Sequence, residues 1–308
     1  MKITVINGTE KHGVTYRLKE MFLVAFRDKA NITEYFLPKD CPSFCIGCTN
    51  CILKGEKNCK DADHIEKIEK SLLESDLIVM TSPAYVFHAT GAMKAFLDHL
   101  AYRWMPHRPA PEMFEKRAVI ITQCLGSGAK SAAKDIKHSL SWWGISQIGI
   151  FTGALMGDIV WEKLSQKKQA ELTGKIQKLS RKFAYIDYTK PAYTNLITKF
   201  KFFVCRMMQK SIHKSDPEYL DGKYWRNRAG LVASDRGNNF IYGGAPMDKT
   251  EWIRCPVCGS KTRDRLREDT VLKNYPLYCP KCKQETLINV KELYVTVIKE
   301  PDAKTQSR

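Results

Sequence analysis

Five short apolar runs alternate with helix-like patterns over the first 186 residues of this chain of 308 residues. The runs are bounded by glycine, proline or polar residues and cover 2–7, 31–37, 76–82, 117–124 and 145–155. The helix-like segments cover 14–29, 61–74, 90–103, 129–143 and 158–186. Regular alternation of strands and helices indicates a parallel sheet with helices on both faces.

Five parallel strands fit the flavodoxin-like strand order 2-1-3-4-5 better than they fit a six-stranded dinucleotide fold. We therefore predict an α/β, doubly wound, five-stranded parallel sheet within residues 1–188. In such sheets ligands bind beyond the carboxyl ends of the strands. The loops that follow the strands are accordingly where a site is expected.

The loop after the first strand, "NGTEKHGVT" (7–15), has the composition of a phosphate-binding turn. Gly8 allows a tight turn, while Thr9, Lys11 and Thr15 offer hydroxyls and a cation at a helix N-terminus, where backbone N–H groups favour an anion. The loop is neither a GxGxxG nor a Walker A sequence. A plain strand-to-helix turn with a capping threonine is the alternative.

Two further loops are predicted at the same edge of the sheet. In "SPAYVFHATGAMKAFLDHL" (82–100), Pro83 fixes the chain direction and Tyr85 can pack on a planar ring. In "TQCLGSGAK" (122–130), Gly126 allows a close backbone approach. Three such loops together predict a pocket for a phosphate plus a flat aromatic ring, which is what FMN presents.

The second loop resembles the SP-x-Y…K-x-F-x-D signature of the NADPH-dependent FMN reductase family, a flavodoxin-like group, and the first loop resembles that family's phosphate loop. The resemblance covers residues 1 to about 230. It implies an FMN-dependent oxidoreductase with NAD(P)H as electron donor. It implies no acid–base residue, because the flavin supplies the chemistry. The FMN-binding residues that it implies are Gly8, Thr9, Lys11, Val14, Thr15, Pro83, Ala84, Tyr85, Val86, Thr122 and Gly126.

Four cysteines follow the second predicted strand with the spacing Cys45-x2-Cys48-x2-Cys51-x7-Cys59. Thiolates at two-residue intervals can each bind a different iron of a cubane, whereas structural zinc usually draws on two separated pairs. The spacing resembles the compact motif of iron–sulfur flavoproteins, a group related to the FMN reductases. Two interpretations stay open: a [4Fe–4S] cluster, or free thiols beside the flavin.

A second cysteine cluster, near the other end, has the spacing Cys255-x2-Cys258-x20-Cys279-x2-Cys282. Two such pairs suit tetrahedral Zn²⁺. The stretch 247–308 also resembles the cysteine-rich KTR family, whose name matches "KTR" at 261–263, and we predict a domain over 251–308. That resemblance implies a zinc-ribbon-like domain but no activity. Nucleic-acid binding by this domain has no support beyond a few basic residues.

Between these parts we predict a basic helical extension at 189–240 and a linker at 241–250. The net charge of the chain is +17, and the excess is concentrated between residues 160 and 240. A basic amphipathic helix is predicted near 193–214. Three interpretations of its apolar side stay open: packing on the sheet domain, a dimer interface, or binding to a membrane surface.

The combined prediction is a cytoplasmic NAD(P)H-dependent flavin oxidoreductase without a transmembrane segment. It passes electrons to a small-molecule acceptor or a redox partner protein, with a [4Fe–4S] cluster as an intermediate carrier if one is bound, and forms a homodimer or higher oligomer. Two alternatives remain. One is a non-enzymatic zinc-ribbon module that binds nucleic acid or protein beside a vestigial flavodoxin-like domain. The other is an iron–sulfur flavoprotein electron carrier.

Overall fold

The computed structural model describes residues 1–157, 159–216, 218–227, 231–233, 240–242, 251–266, 270–291 and 294–298. The chain forms two compact units, Met1–Tyr242 and Gly243–Arg308. Among the described helices, none is both long and apolar enough to cross a membrane.

The first unit is built on a parallel sheet. Its strands are β1 (Lys2–Asn7), β2 (Asn31–Phe36), β3 (Leu77–Tyr85), β5 (Arg117–Leu125) and β6 (Gln147–Leu155), and a two-residue strand, β4 (His88–Ala89), turns back on β3. The order is β2-β1-β3-β5-β6. With β4 set aside, this is the order 2-1-3-4-5 predicted from the sequence, and the flavodoxin-like fold is confirmed.

Helices cover both faces of this sheet. On one face lie α1 (Val14–Leu23) and α6 (Gln166–Ala184), and on the other lie α3 (Ala62–Glu74), α4 (Gly91–His99) and α5 (Ala129–Trp142). A short helix, α2 (Asn50–Leu53), lies in the cysteine loop. The sheet buries two separate apolar cores as a result, one against each helical layer.

Three helices differ in their bounds from the predicted ones. The helix expected at 14–29 ends at Leu23, and a 3-10 turn over Val24–Phe26 follows it. The helix expected at 90–103 ends at His99, and a 3-10 turn over Ala101–Arg103 continues it. The helix expected at 158–186 begins at Gln166, because the side chain of Ser165 accepts a hydrogen bond from Lys168 N at 3.2 Å. Such a cap satisfies one of the free N–H groups of the first turn and fixes where the helix starts.

Two more helices, α7 (Leu196–Ser215) and α8 (Leu220–Asn227), follow the sheet and belong to the first unit. Phe202 of α7 and Trp225 of α8 pack with Met105 and Phe114 in a third buried cluster. Strands β7 (Leu231–Ala233) and β8 (Phe240–Tyr242) form a hairpin after them. The predicted linker, 241–250, therefore starts within β8, and its other residues lie outside the described ones.

The second unit consists of short antiparallel strands. β9 (Glu251–Arg254) pairs with β10 (Lys261–Leu266), and β11 (Leu272–Tyr278), β12 (Glu285–Lys291) and β13 (Tyr294–Val297) form a three-stranded sheet. Each cysteine pair lies in the turn between two paired strands. Within the described part of this unit the apolar core is small, with five buried side chains: Ile253, Leu266, Leu277, Ile288 and Val290.

Candidate functional site

The loop after β1 is packed tightly against the end of β3. Gly8 N donates to Thr81 O at 2.7 Å, and Thr90 Oγ1 donates to Gly8 O at 2.6 Å. A Cβ at position 8 would lie 2.8 Å from Thr81 O, closer than side chains tolerate. Glycine is therefore required at this position so that the loop can pass close to the neighbouring strand.

The start of α1 carries a polar group without a partner. The residue before the helix is Gly13, so no side chain caps it, and the helix begins with Val14 and Thr15, both buried. Among the residues that the structure describes, Thr15 Oγ1 has no hydrogen-bond partner. A buried hydroxyl left unpaired costs roughly 1–3 kcal/mol. The free hydroxyl and the uncapped N–H groups thus form an incomplete polar site.

The loop after β3 is a tight hairpin with an unusual backbone. Val86 and Phe87 have φ values of 48° and 70°, in the left-handed region that favours glycine. They connect β3 to β4, and Tyr85 and both turn residues are more than half exposed. Non-glycine residues held in this conformation cost energy and cluster at ligand sites. The hairpin therefore presents an aromatic and apolar edge to solvent.

The loop after β5 contacts this hairpin. Gly126 (φ 76°) donates its N–H to Leu155 O at 2.8 Å. Gly128 has φ 108°, and a Cβ there would lie 2.7 Å from Phe87 Cα. Thr122 is fully buried, and its hydroxyl donates to Ala129 O at 2.8 Å. The second and third loops thus meet backbone against backbone.

A cavity of about 240 Å³ lies where the three loops come together. Its lining includes seven of the residues predicted from the sequence: Thr9, Lys11, Val14, Thr15, Pro83, Ala84 and Tyr85. Gly8, Val86, Thr122 and Gly126 are not part of this lining, although Gly8 and Thr122 shape the loops that are. The sequence predictions missed four further lining residues: Gly13, Gln123, Leu125 and Ile159.

Gln123 adds a second unpartnered polar atom to the cavity. Its Oε1 is buried and has no hydrogen-bond partner within the described part of the chain. The side chain of His88, by contrast, has a partner, because its Nδ1 lies 3.1 Å from Asp135 Oδ2. The cavity therefore combines an exposed tyrosine, one lysine and two unsatisfied polar atoms, which suits a ligand with an aromatic ring and an anionic end.

A second cavity, of about 570 Å³, lies on the other side of the first loop and shares Lys11, Gly13, Val14 and Ile159 with the first. Its arginines are already paired. Arg17 contacts Glu162 at 2.8 Å, and Arg27 contacts Glu20 at 2.5 Å. The smaller cavity is the better candidate site because two of its polar atoms, Thr15 Oγ1 and Gln123 Oε1, lack hydrogen-bond partners among the described residues.

The cysteine loop after β2 has four thiols at different depths. Cys45 and Cys48 are exposed, whereas Cys51 and Cys59 are half-buried. Burial, together with the thiols of Cys59, Cys45 and Cys48, raises the pKa of Cys51. The four thiols are thus near enough to interact, and positive charge introduced among them would favour their thiolate forms.

One group in this loop has the spacing of a single-ion site. Cys59, Asp61 and His99 place one ligand atom each within 4.8 Å of one another, and the four motif sulfurs, all of them described, form no such group. His99 Nδ1 lies 3.9 Å from Cys59 Sγ, while its Nε2 lies 3.0 Å from Ser43 O. The four thiolates that bind an iron–sulfur cubane do not need to lie as close together as the ligands of a single ion, because each thiolate binds a different iron.

A buried arginine holds the cysteine loop against α8. The guanidinium of Arg108 donates to Cys51 O and, at 3.1 Å, to Ile52 O. It also pairs with Asp221, which is fully buried and accepts a hydrogen bond from Tyr219 at 2.8 Å. The position of the cysteine loop therefore depends on a residue of the C-terminal extension.

The second unit brings its four cysteines together. The ligand atoms of Cys255, Cys258, Cys279 and Cys282 all lie within 4.8 Å of one another, with two S–S separations of 3.6 Å. Hydrogen bonds led by those from Ser260 lower the pKa of Cys258 to about 6. Although the N–H of Gln284 acts against it, desolvation and the neighbouring sulfurs raise the pKa of Cys282 to about 12. This geometry is that of a tetrahedral metal site.

Comparisons with known proteins agree with this organisation. The sequence profile of the NADPH-dependent FMN reductase family matches residues 1–155, and the cysteine-rich KTR profile matches residues 250–303. A solved structure, an FMN-dependent NADH-azoreductase from Bacillus anthracis in complex with FMN, is 13% identical with a TM-score of 0.47, and the match covers 60% of this chain and 100% of that one.

Two relatives are described as iron-sulfur flavoproteins. The one from Clostridioides difficile is 30% identical over 232 residues, which are 72% of this chain and 95% of that protein. The one from Archaeoglobus fulgidus is 31% identical over 137 residues, which are 44% of this chain and 59% of that protein. With the profile match over residues 1–155, these similarities show that the chain belongs to the NADPH-dependent FMN reductase family.

Proposed function

We propose that the first unit binds FMN in the cavity beneath its three loops and reduces it with NAD(P)H, so that electrons pass to a separate acceptor. The observation that carries this proposal is the pair of unpartnered polar atoms, Thr15 Oγ1 and Gln123 Oε1, in a cavity beside an exposed tyrosine. Bound FMN would supply hydride and electron transfer chemistry, while the protein supplies binding, orientation and exclusion of water.

The residues divide into two groups by their place around the cavity. Thr9, Lys11, Thr15 and the first N–H groups of α1 suit the phosphate, because a helix N-terminus favours an anion. Pro83, Ala84 and Tyr85 suit the flat ring system, and Gln123 offers it a hydrogen-bonding amide. Val14, where the family has asparagine or serine, contributes its backbone N–H and an apolar wall.

The direct test is anaerobic addition of NADPH to the purified protein loaded with FMN. We expect the flavin absorbance to bleach without any added carrier. If the protein did not bind the supplied FMN and itself remained colourless, this result would instead support a non-enzymatic binding module. FMN that binds but bleaches only through another reductase would support an electron carrier.

The variant Thr15→Val separates binding from folding. Removing an unpartnered hydroxyl should stabilise the ligand-free protein by about 1 kcal/mol. Loss of a hydrogen bond to a charged phosphate should weaken FMN binding roughly 10- to 100-fold. Thr4→Val is the matched control, since Thr4 Oγ1 donates to Ser71 O at 2.9 Å far from the loops. It should lower stability and leave FMN affinity unchanged; equal effects of the two variants on affinity would contradict the assignment.

We further propose that Cys45, Cys48, Cys51 and Cys59 bind a [4Fe–4S] cluster. The iron-sulfur flavoprotein names of the relatives and the spacing of the four cysteines in the sequence support this. The double variant Cys48→Ser, Cys51→Ser should lose iron and the brown colour in the visible spectrum of protein purified without oxygen. Cys41→Ser is the control, because burial raises the pKa of Cys41 to about 11 and the thiol lies in the apolar core. Iron content unchanged in the double variant would exclude a cluster at this loop.

For the second unit we propose a structural Zn²⁺ held by Cys255, Cys258, Cys279 and Cys282. The boundaries 1–188, 189–240, 241–250 and 251–308 remain predictions, as do the homodimer, the cytoplasmic location and the identity of the electron acceptor.

A further inference from the structure

Helix α7 exposes a long apolar face on the first unit. Leu196, Ile197 and Phe200 are each 67–75% exposed. The exposed stripe continues over the next two turns with Phe203, Val204, Met207 and Met208. Large apolar side chains that recur in this way are unusual on a free surface and indicate an interaction site.

The opposite side of α7 fixes the direction of this face. Thr198, Phe202, Cys205 and Gln209 are buried and recur every three or four residues. Phe202 lies 4.9 Å from the ring of Trp225 and 5.4 Å from that of Phe114, centroid to centroid. Because this seam is already packed, the helix cannot turn its exposed face inward.

Cations lie along one edge of the exposed face. At about 100° per residue, the exposed apolar side chains, with Ile212 included, cover an arc of about 180°. Lys210 and Lys199 follow one edge of this arc, whereas Lys201, near the other end, is half-buried and donates to Ser141 Oγ at 2.9 Å. The twenty residues of α7 contain five lysines and arginines and no acidic residue. An apolar face with cations beside it and no acidic residue is the pattern of a helix that lies in a membrane interface.

The charge decides between two occupants of this face. A second copy of the chain that met this face with its own α7 would bring Lys199 and Lys210 against the same two lysines, and α7 has no carboxylate to pair with them. An anionic lipid surface complements the lysines, whose long stems can reach past buried apolar side chains to the headgroups. We propose that α7 binds the surface of anionic lipid bilayers with its apolar face in the acyl boundary and Lys199 and Lys210 at the headgroups.

The test is flotation of the full-length protein with lipid vesicles. We expect binding to phosphatidylcholine vesicles that contain phosphatidylglycerol and little binding to phosphatidylcholine alone. The variant Phe200→Glu, Phe203→Glu should abolish binding. The matched control Val24→Glu, Tyr185→Glu changes two exposed apolar residues of the same unit and should bind normally.

A second pair of variants tests the charges. Lys199→Glu, Lys210→Glu should weaken binding about 25-fold or more, since each surface cation contributes about 1 kcal/mol and 1.4 kcal/mol is a factor of ten. Lys178→Glu, Lys182→Glu, two exposed lysines of α6, should have a much smaller effect.

Three results would overturn the proposal. The first is equal binding to neutral and anionic vesicles, and the second is unchanged flotation of the phenylalanine variant. The third is that the protein binds no vesicles and forms an oligomer in sedimentation, and that the phenylalanine variant dissociates this oligomer. The face would then be a contact between copies of the chain. NADPH-dependent flavin bleaching, measured in parallel, should be the same in all four variants.

Discussion

Replacing Cys255 and Cys279 by serine is expected to unfold the second unit and leave the first unit intact. The described residues of the second unit form a core with five buried apolar side chains, too few to stabilise a fold of this size alone. Structural Zn²⁺ in small domains contributes about 10–16 kcal/mol of apparent binding free energy, which is also folding free energy. Each substitution removes one thiolate from a different cysteine pair, so neither pair can retain the metal.

Metal analysis and hydrogen exchange resolved by peptide would measure this effect. Wild-type protein should contain about one zinc per chain, and backbone amides of residues 251–266 and 270–291 should lose protection in the variant. Cys205→Ser, in a buried site of the first unit, is the control and should leave the zinc content unchanged. Retention of strand protection in the zinc-free variant would show that the small apolar core suffices.

Arg108→Met is expected to cost about 3 kcal/mol or more of stability in the first unit. The substitution removes the guanidinium from the fully buried Asp221, which keeps its contacts with His107 Nδ1 and the Tyr219 hydroxyl, both at 2.8 Å. Breaking a buried ion pair from one side typically costs about 3–5 kcal/mol, and the remaining contacts favour the lower end of this range. It also removes the donor from Cys51 O and Ile52 O, so the cysteine loop should loosen. We therefore expect a lower midpoint of denaturant unfolding and a less stably bound cluster.

Arg17→Met is the matched control for this prediction. Arg17 contacts Glu162 at 2.8 Å, but both side chains are half or more exposed. Exposed ion pairs contribute about 0–1 kcal/mol, so this variant should unfold at nearly the wild-type denaturant concentration. If the two arginine variants proved equally stable, the buried network would not hold the loop in the way described.

The strands of the sheet were predictable because they are buried on both faces and therefore read as continuous apolar runs. β3 shows this directly, since its first seven residues are all buried. The phosphate loop and the SP-x-Y loop were visible because glycine and proline mark turns with fixed backbone requirements. Local chemistry in the sequence thus sufficed for the fold and for seven residues of the cavity lining.

Other features depend on folding that brings distant residues together. Arg108 and Asp221 are 113 positions apart in the sequence. No sequence pattern around either residue indicates that the two side chains form an ion pair. Gln123 lies at the end of an apolar strand and looks like an ordinary strand residue. The turn at Val86 and Phe87 has a backbone that usually calls for glycine or asparagine, so its residue types gave no signal.

The contact of Gly128 with Phe87 joins two loops that are otherwise separate in the chain. A Cβ at position 128 would lie 2.7 Å from Phe87 Cα, so any residue larger than glycine there requires the hairpin to move away. The sequence of one loop is therefore constrained by the conformation of the other. For this reason the two loops should be transferred as one piece when this site is grafted onto another scaffold.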